Sequence, residues 1–440
     1  MSKKREWLKS MQQVIFTERE VDEKKGFIVV QEKTKYNLML LMGASLVGTA
    51  FLFNRPQEII SGLQSILVSP SILVSDYMAI GNIGAAFFNA GILMILCILI
   101  ARKNQVNMNG PLMAAIIVVT GFALFGKNLY NVWAIMLGVW LYAKYHQEHF
   151  GKYILIAYFG TALGPLISQI SFGFGWPLYL SVPAGTAAGI VAGFFLPPLA
   201  THFVSFHQGY NLYNIGFTAG VVGMVFMSIM RGFGLNNPAT LVVAEGYNAP
   251  LGNFLFLLFT AMLIVGLYYS RRVLPGLFRI TRQSGRLVSD FVTTDGFGAA
   301  LINMAMLGYV SIYYVLFVGG ELNGPIIGGI FTVVGFGAFG KHLRNVLPVL
   351  AGVYIATLFK IWDPNSTGAL LAALFGTTLA PISGAYGWKY GVIAGIVHMS
   401  VVMNVGYLHG GMNLYNNGFS GGFVAAVMVL AIDALQKARS

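Results

Sequence analysis

The chain has 440 residues, 56% of them hydrophobic and 10% charged, whereas a soluble domain carries about 25% charged residues. With a mean hydropathy of +0.71, a water-soluble globular domain is excluded and a polytopic membrane protein is expected. The net charge of +12 and the single cysteine, Cys97, exclude less: the basic residues cluster beside apolar segments and indicate topology and anionic-lipid contact rather than nucleic acid, and one cysteine rules out an internal disulfide.

Residues 1–36 are polar and basic, with Lys3, Lys4, Arg5, Lys9, Arg19, Lys24, Lys25, Lys33 and Lys35 ahead of the first span. They show no signal-peptide pattern. The first span is expected over residues 38–53, followed by a stretch, 55–81, interrupted by Pro56, Gly62 and Pro70. A span over 82–101 ends at Arg102-Lys103. Two short apolar stretches, 111–125 and 129–143, then flank Gly126-Lys127-Asn128. Spans over 153–172, 181–199 and 210–230 complete the half. The second half reads 254–269, a loop at 271–296, then 297–316, 325–339, 343–358, 368–385, 391–405 and 412–430. The organisation is thus a basic N-terminal segment (1–36), a first transmembrane repeat (37–231), an extracytoplasmic linker (232–252) and a second repeat (253–436).

The halves are copies. Asn109-Gly110-Pro111 returns as Asn323-Gly324-Pro325, and Gly121-Phe122-Ala123-Leu124-Phe125-Gly126-Lys127 returns as Gly335-Phe336-Gly337-Ala338-Phe339-Gly340-Lys341, at an offset of 214 (341 − 127). Asp76 and Asp290 keep the same offset. His207-Gln208-Gly209-Tyr210-Asn211-Leu212-Tyr213-Asn214-Ile215-Gly216-Phe217 returns as His409-Gly410-Gly411-Met412-Asn413-Leu414-Tyr415-Asn416-Asn417-Gly418-Phe419, and Phe159-Gly160-Thr161 as Phe375-Gly376-Thr377. The first copy is longer around residues 172–185, read as a loop elaboration.

With the N-terminus cytoplasmic, Arg102, Lys103, Lys144 and Lys152 fall inside. Five crossings plus a hairpin per half make the second half start outside. That delivers Arg271, Arg272, Arg279, Arg282 and Arg286, and later Lys437 and Arg439, to the cytoplasm, leaving Arg55, Arg231 and Lys360 outside. The expected fold class is therefore an all-α polytopic membrane protein of two inverted-topology repeats, each with about five transmembrane helices and a re-entrant helical hairpin. It is placed in the cell membrane with both termini cytoplasmic.

Each hairpin arm has about 15 apolar residues, where a crossing needs roughly 20. An irregular, basic tip is tolerated at membrane depth only inside protein or beside water. Two inverted hairpins are expected to bring Lys127 and Lys341 to one central site, with the helix starts at Asn128 and His342 adding partial positive charge. Two slightly short full spans are the alternative. Candidate solute contacts are Lys127, Lys341, Asn128, His342, Asn131, Asn345, Asn211, Tyr213, Asn214, Asn413, Tyr415 and Asn416; the asparagines equally suit capping and interhelical hydrogen bonds. His207, His409, Thr161 and Thr377 are the candidate coupling residues, for Na+ or H+; packing also suits the threonines. Asp76 and Asp290 suit capping of the helices that follow them. Asp and Glu are almost absent from the spans, and no P-loop, zinc-protease helix or serine elbow occurs. No enzyme activity, catalytic residue, metal or cofactor is expected.

The doubled Gly-Lys-Asn/His tip and doubled Asn-Leu-Tyr-Asn-x-Gly-Phe resemble, over essentially the whole chain, an uncharacterised bacterial family of duplicated polytopic membrane proteins, a domain of unknown function. That resemblance implies the architecture and no activity. Tyr-Asn-x-Gly and the inverted halves are similar to urea transporters, which implies a facilitative channel; the basic tips depart from that pattern. The loop at 271–296 is similar to the interfacial arm of elevator-type transporters. The expected function is a secondary transporter moving a small anionic or polar solute by alternating access. The alternatives are a channel for a small neutral solute and a non-transporting scaffold or receptor. The expected partners are the solute and the bilayer, and Gly-rich faces are compatible with a homo-oligomer.

Overall fold

The computed structural model describes residues 20–22, 27–359 and 361–438. Lys3, Lys4, Arg5, Lys9, Arg19, Lys24, Lys25, Lys360 and Arg439, which enter the charge pattern, lie outside the described residues. A short antiparallel pair, Glu20–Asp22 with Phe27–Val29, precedes the helices.

The first half contains α1 (Glu32–Phe53), α2 (Pro56–Leu67), α3 (Ile83–Lys103), α4 (Gly110–Phe122), α5 (Trp133–Tyr145), α6 (Phe150–Gly173), α7 (Leu178–Phe206) and α8 (Asn214–Gly232). The same order recurs as α9 (Asn248–Tyr268), α10 (Val273–Arg282), α11 (Phe297–Phe317), α12 (Gly324–Phe336), α13 (Leu343–Thr357), α14 (Thr367–Tyr386), α15 (Trp388–His409) and α16 (Asn416–Lys437). Among the described residues ten helices are long and apolar enough to cross a membrane, five in each half. The hydropathy pattern anticipates these, and the chain is an all-α, membrane-type protein.

Local chemistry sets the helix starts. Asn109 and Asn323 accept from the N–H groups of Leu112 (2.9 Å) and Ile326 (3.1 Å), with a proline in the first turn of α4 and α12. The repeated Asn-Gly-Pro is therefore a helix-start signal. The repeated Gly-Thr-x-Leu forms a 3₁₀ turn, Thr161–Leu163 in α6 and Thr377–Leu379 in α14, ahead of Pro165 and Pro381. The extra length of the first copy is not mainly loop: α7 has 29 residues against 22 in α15.

Within each repeat α1 packs on α3 and α5 on α7, with α9 on α11 and α13 on α15 in the second. Two pairs, α4 with α12 and α8 with α16, join the repeats. The α4–α12 crossing is tight: a Cβ on Gly121 would lie 3.0 Å from the Gly328 carbonyl, and one on Gly328 would lie 2.8 Å from the Gly121 carbonyl. Small residues allow this backbone approach.

Candidate functional site

The lysines owe their placement to a turn. After α4, Gly126 has φ +91 and the Lys127 N–H donates to the Phe122 carbonyl at 3.0 Å. After α12, Gly340 has φ +92 and Lys341 N–H donates to Phe336 at 3.0 Å. This is a Schellman closure, which needs a residue that tolerates positive φ just before the lysine. Its usual apolar contact becomes a cation–π contact here: each ammonium lies 5.1 Å from the ring centroid of the phenylalanine that closes its helix. Both lysines are fully buried. Asn89 of α3 donates to the Ala123 and Lys127 carbonyls (2.7 and 2.9 Å), and Asn303 of α11 to Gly337 and Lys341 (both 2.8 Å). Sequence reasoning missed these two clamps, although a doubled asparagine inside an apolar span was a signal for them.

The lysines do not share one central site. A Cβ on Gly110 would lie 2.4 Å from the Ala338 carbonyl, and one on Gly324 would lie 2.5 Å from the Leu124 carbonyl. The start of α4 thus meets the turn after α12, and the start of α12 meets the turn after α4. α4 and α12 run antiparallel over their full length, about 20 Å for 13 residues each, and hold the tips at opposite ends. A chain of edge-on and tilted ring contacts runs between the ends: Phe122 to Tyr415 (4.6 Å), Tyr415 to Tyr213 (5.2 Å) and Tyr213 to Phe336 (4.7 Å), flanked by Phe375 and Phe159.

The two lysine pockets are equivalent by sequence and unequal in structure. Lys341 Nζ donates to Tyr213 Oη and, at 2.6 Å, to Thr377 Oγ1. Lys127 Nζ donates to the Tyr158 carbonyl at 3.3 Å, which Thr161 Oγ1 also reaches at 2.6 Å. Tyr415, the counterpart of Tyr213, is buried and its hydroxyl has no hydrogen-bond partner. Neither lysine pairs with a carboxylate among the described residues.

Each tip is completed by the histidine motif of the other repeat. Leu414 closes over Gly126, where a Cβ would meet its Cδ2 at 2.4 Å, and Leu212 closes over Gly340 at 2.8 Å. Leu414 N–H donates to Ala162 and Leu212 N–H to Thr378, both at 3.1 Å.

Most of the expected polar contacts are satisfied within the protein. Asn128 Oδ1 accepts from the N–H groups of Tyr130 and Asn131, and its Nδ2 donates to Ile66 O and Tyr77 Oη. Asn131 and Asn345 accept from the N–H of residues 128 and 342 and donate to the Gly126 and Gly340 carbonyls, closing the tips. His342 caps α13 through Nδ1, and its Nε2 meets Gln283 O at 2.9 Å. Asn211 donates to Gly418 O and accepts from Thr378 Oγ1, while Asn413 donates to Gly216 O. His207 and His409 bond Asn214 (3.0 Å) and Asn416 (2.9 Å), which donate to Ala200 O and Val402 O on the preceding helices. Both histidines are fully buried braces, and a similar pair, His398 with Asn417 at 2.9 Å, was not anticipated.

Asp76 and Asp290 cap the helices after them and also the base of the opposite hairpin. Asp76 accepts from the N–H groups of Met78, Ala244 and Gly324; Asp290 accepts from Thr293 and Gly110. Burial pushes the Asp76 carboxyl up to about 6, against the opposing pull of those three N–H groups.

A buried ammonium with no facing carboxylate suits an anion or a strong hydrogen-bond acceptor. No cluster of His, Cys, Asp or Glu fit for a metal occurs among the described residues. No curated protein and no solved structure matches the chain. A family model described as a protein of unknown function, DUF1576, matches residues 55–232 and 269–434, one stretch in each repeat. Because those stretches cover most of the sequence, the chain belongs to the DUF1576 family.

Proposed function

We propose that the protein is a secondary transporter for a small anionic or strongly polar solute, working by alternating access in the cell membrane. In this reading the repeats have inverted topology, both termini are cytoplasmic, and α4–α5 and α12–α13 are re-entrant hairpins. One observation carries it: each tip buries a lysine that has no carboxylate partner among the described residues. A lysine at membrane depth costs roughly 3 kcal/mol or more and persists for function.

Further observations support the reading. The arms of about 20 Å fall short of a hydrocarbon core of about 30 Å. The unequal pockets fit a two-ended path: Lys341 is held by Tyr213 and Thr377, while among the described residues Lys127 donates to one carbonyl and the Tyr415 hydroxyl has no partner. Inverted repeats in one state of an alternating cycle adopt different conformations, and the roles exchange in the other state. The packed rings between the lysines favour a carrier over an open channel, since solute passes only when the rings part.

The test is uptake or current in proteoliposomes across a panel of small anions and neutral polar solutes. A saturable signal that disappears in Lys127→Met and in Lys341→Met, with both variants still folded, is expected. Normal transport by the double variant removes the lysines from the mechanism.

A further inference from the structure

The two repeats build the same short surface helix and charge it differently. α2 and α10 occupy equivalent places between the first and second spans of each repeat, and neither is long enough to cross a membrane. In α2, Ile59, Gly62 and Ile66 are buried and Ile60 is exposed. Its polar edge carries Gln57, Glu58, Ser61 and Gln64, with Arg55 just before the helix. In α10, Gly276 and Ile280 face the protein, and a Cβ on Gly276 would lie 3.0 Å from the Ala299 side chain. Leu274 (77% exposed) and Phe278 (56%) stand out from it.

Successive residues of a helix turn by about 100°. Leu274, Phe278 and Thr281 therefore share one edge of α10, Arg279 and Arg282 the next, and Gly276 and Ile280 the third. The apolar edge is an exposed shallow surface formed with Pro275 and Leu277. On the basic edge, the Arg282 guanidinium lies 4.0 Å from the Phe278 ring centroid, and Arg279 is held by Asp295 at 3.2 Å. Arg271 and Arg272 lead into the helix, exposed, beside a small recess formed with Gly276 and Asp295. Among the described residues neither of them forms an ion pair.

Three edges in this order, one against protein, one apolar and one basic, describe a helix lying in the plane of a membrane surface. Arginine is the side chain suited to bidentate grip of a phosphate. We infer that α10 is an anionic-phospholipid site, with Leu274 and Phe278 among the acyl chains and Arg271, Arg272 and Arg282 on the headgroup phosphate. The neutral edge of α2 makes this a property of one repeat and of one membrane face. The inference is independent of what the protein transports.

The test is native mass spectrometry of the delipidated full-length protein in non-ionic detergent, titrated with phosphatidylglycerol or with phosphatidylcholine of the same chains. Phosphatidylglycerol is expected to bind at least about tenfold more tightly, at about fivefold per arginine. Arg271→Gln with Arg272→Gln and Arg282→Gln is expected to bring the two lipids level. Should that triple variant not fold, Arg271→Gln alone is expected to lose about fivefold. The triple lysine variant keeps the preference within a few-fold, because the charge remains. Arg55→Gln, on α2's side, leaves it unchanged. A triple glutamine variant that keeps the full preference overturns the inference, as does an Arg55→Gln variant that loses as much.

Discussion

Lys341 and Lys127 occupy copies of one position, yet Tyr213 bonds Lys341 while its counterpart Tyr415 bonds neither lysine, and this gives a direct residue-level test. Tyr213→Phe removes a hydrogen bond from a buried ammonium and is expected to lower stability by about 1–3 kcal/mol. Tyr415→Phe removes a hydroxyl that bonds nothing and is expected to change stability by less than about 0.5 kcal/mol. Thermal unfolding of the two variants in one detergent compares them. Asp76 provides a second test. Burial raises its pKa in the folded protein to about 6, above the ordinary 3.8, so the folded state takes up the proton first. Through this group, stability rises as pH falls through about 6 and levels off below about 4, by up to roughly 3 kcal/mol. Asp76→Asn cannot titrate, so the difference in unfolding midpoint between pH 7.5 and pH 5 is expected to shrink in that variant. At this scale the doubled sequence marked polar residues that the structure buries, but not which groups they bond. Asn128 and Asn131 look the same as solute ligands or as a closed local turn, because spacing along the chain does not reveal which acceptors face each side chain.

The helices themselves were legible. Hydropathy marks five spans in each half, and Asn-Gly-Pro marks the starts of α4 and α12. The turns after α4 and α12 are written locally too, since Gly126 and Gly340 supply the positive φ that the closure needs. Gly126→Ala combines that strain with a Cβ 2.4 Å from Leu414 Cδ2 and is expected to lower stability by about 1–2 kcal/mol or more. A ladder of thermal midpoints for wild type, Gly126→Ala and Gly340→Ala checks this. What stayed hidden is how the hairpins pass each other. Their overlap rests on contacts such as Gly110 with Ala338 and Gly324 with Leu124, between residues about 200 or more positions apart (324 − 124 = 200; 338 − 110 = 228), and no periodicity encodes them. An expectation of one shared lysine site fails for that reason alone.

Over the whole molecule the repeats interlock rather than sit side by side. The 409–419 motif completes the Lys127 tip, Asp290 holds the N–H of Gly110, and the 207–217 motif and Asp76 do the same for the second hairpin. Neither repeat is expected to fold alone. A chain cut between Glu245 and Tyr247, with both pieces co-expressed, is expected to give a single detergent-stable particle, while each piece by itself aggregates; size-exclusion chromatography distinguishes the outcomes. Duplication was visible in the sequence, and exchange of parts between the copies was not, since a motif pairs equally well on paper with its own half or with the other. The most direct measurement is solid-supported-membrane current from proteoliposomes challenged with small anions. A transporter that works through these lysines gives a saturable current that vanishes when both Lys127 and Lys341 are replaced by methionine. An undiminished current in that double variant contradicts this mechanism.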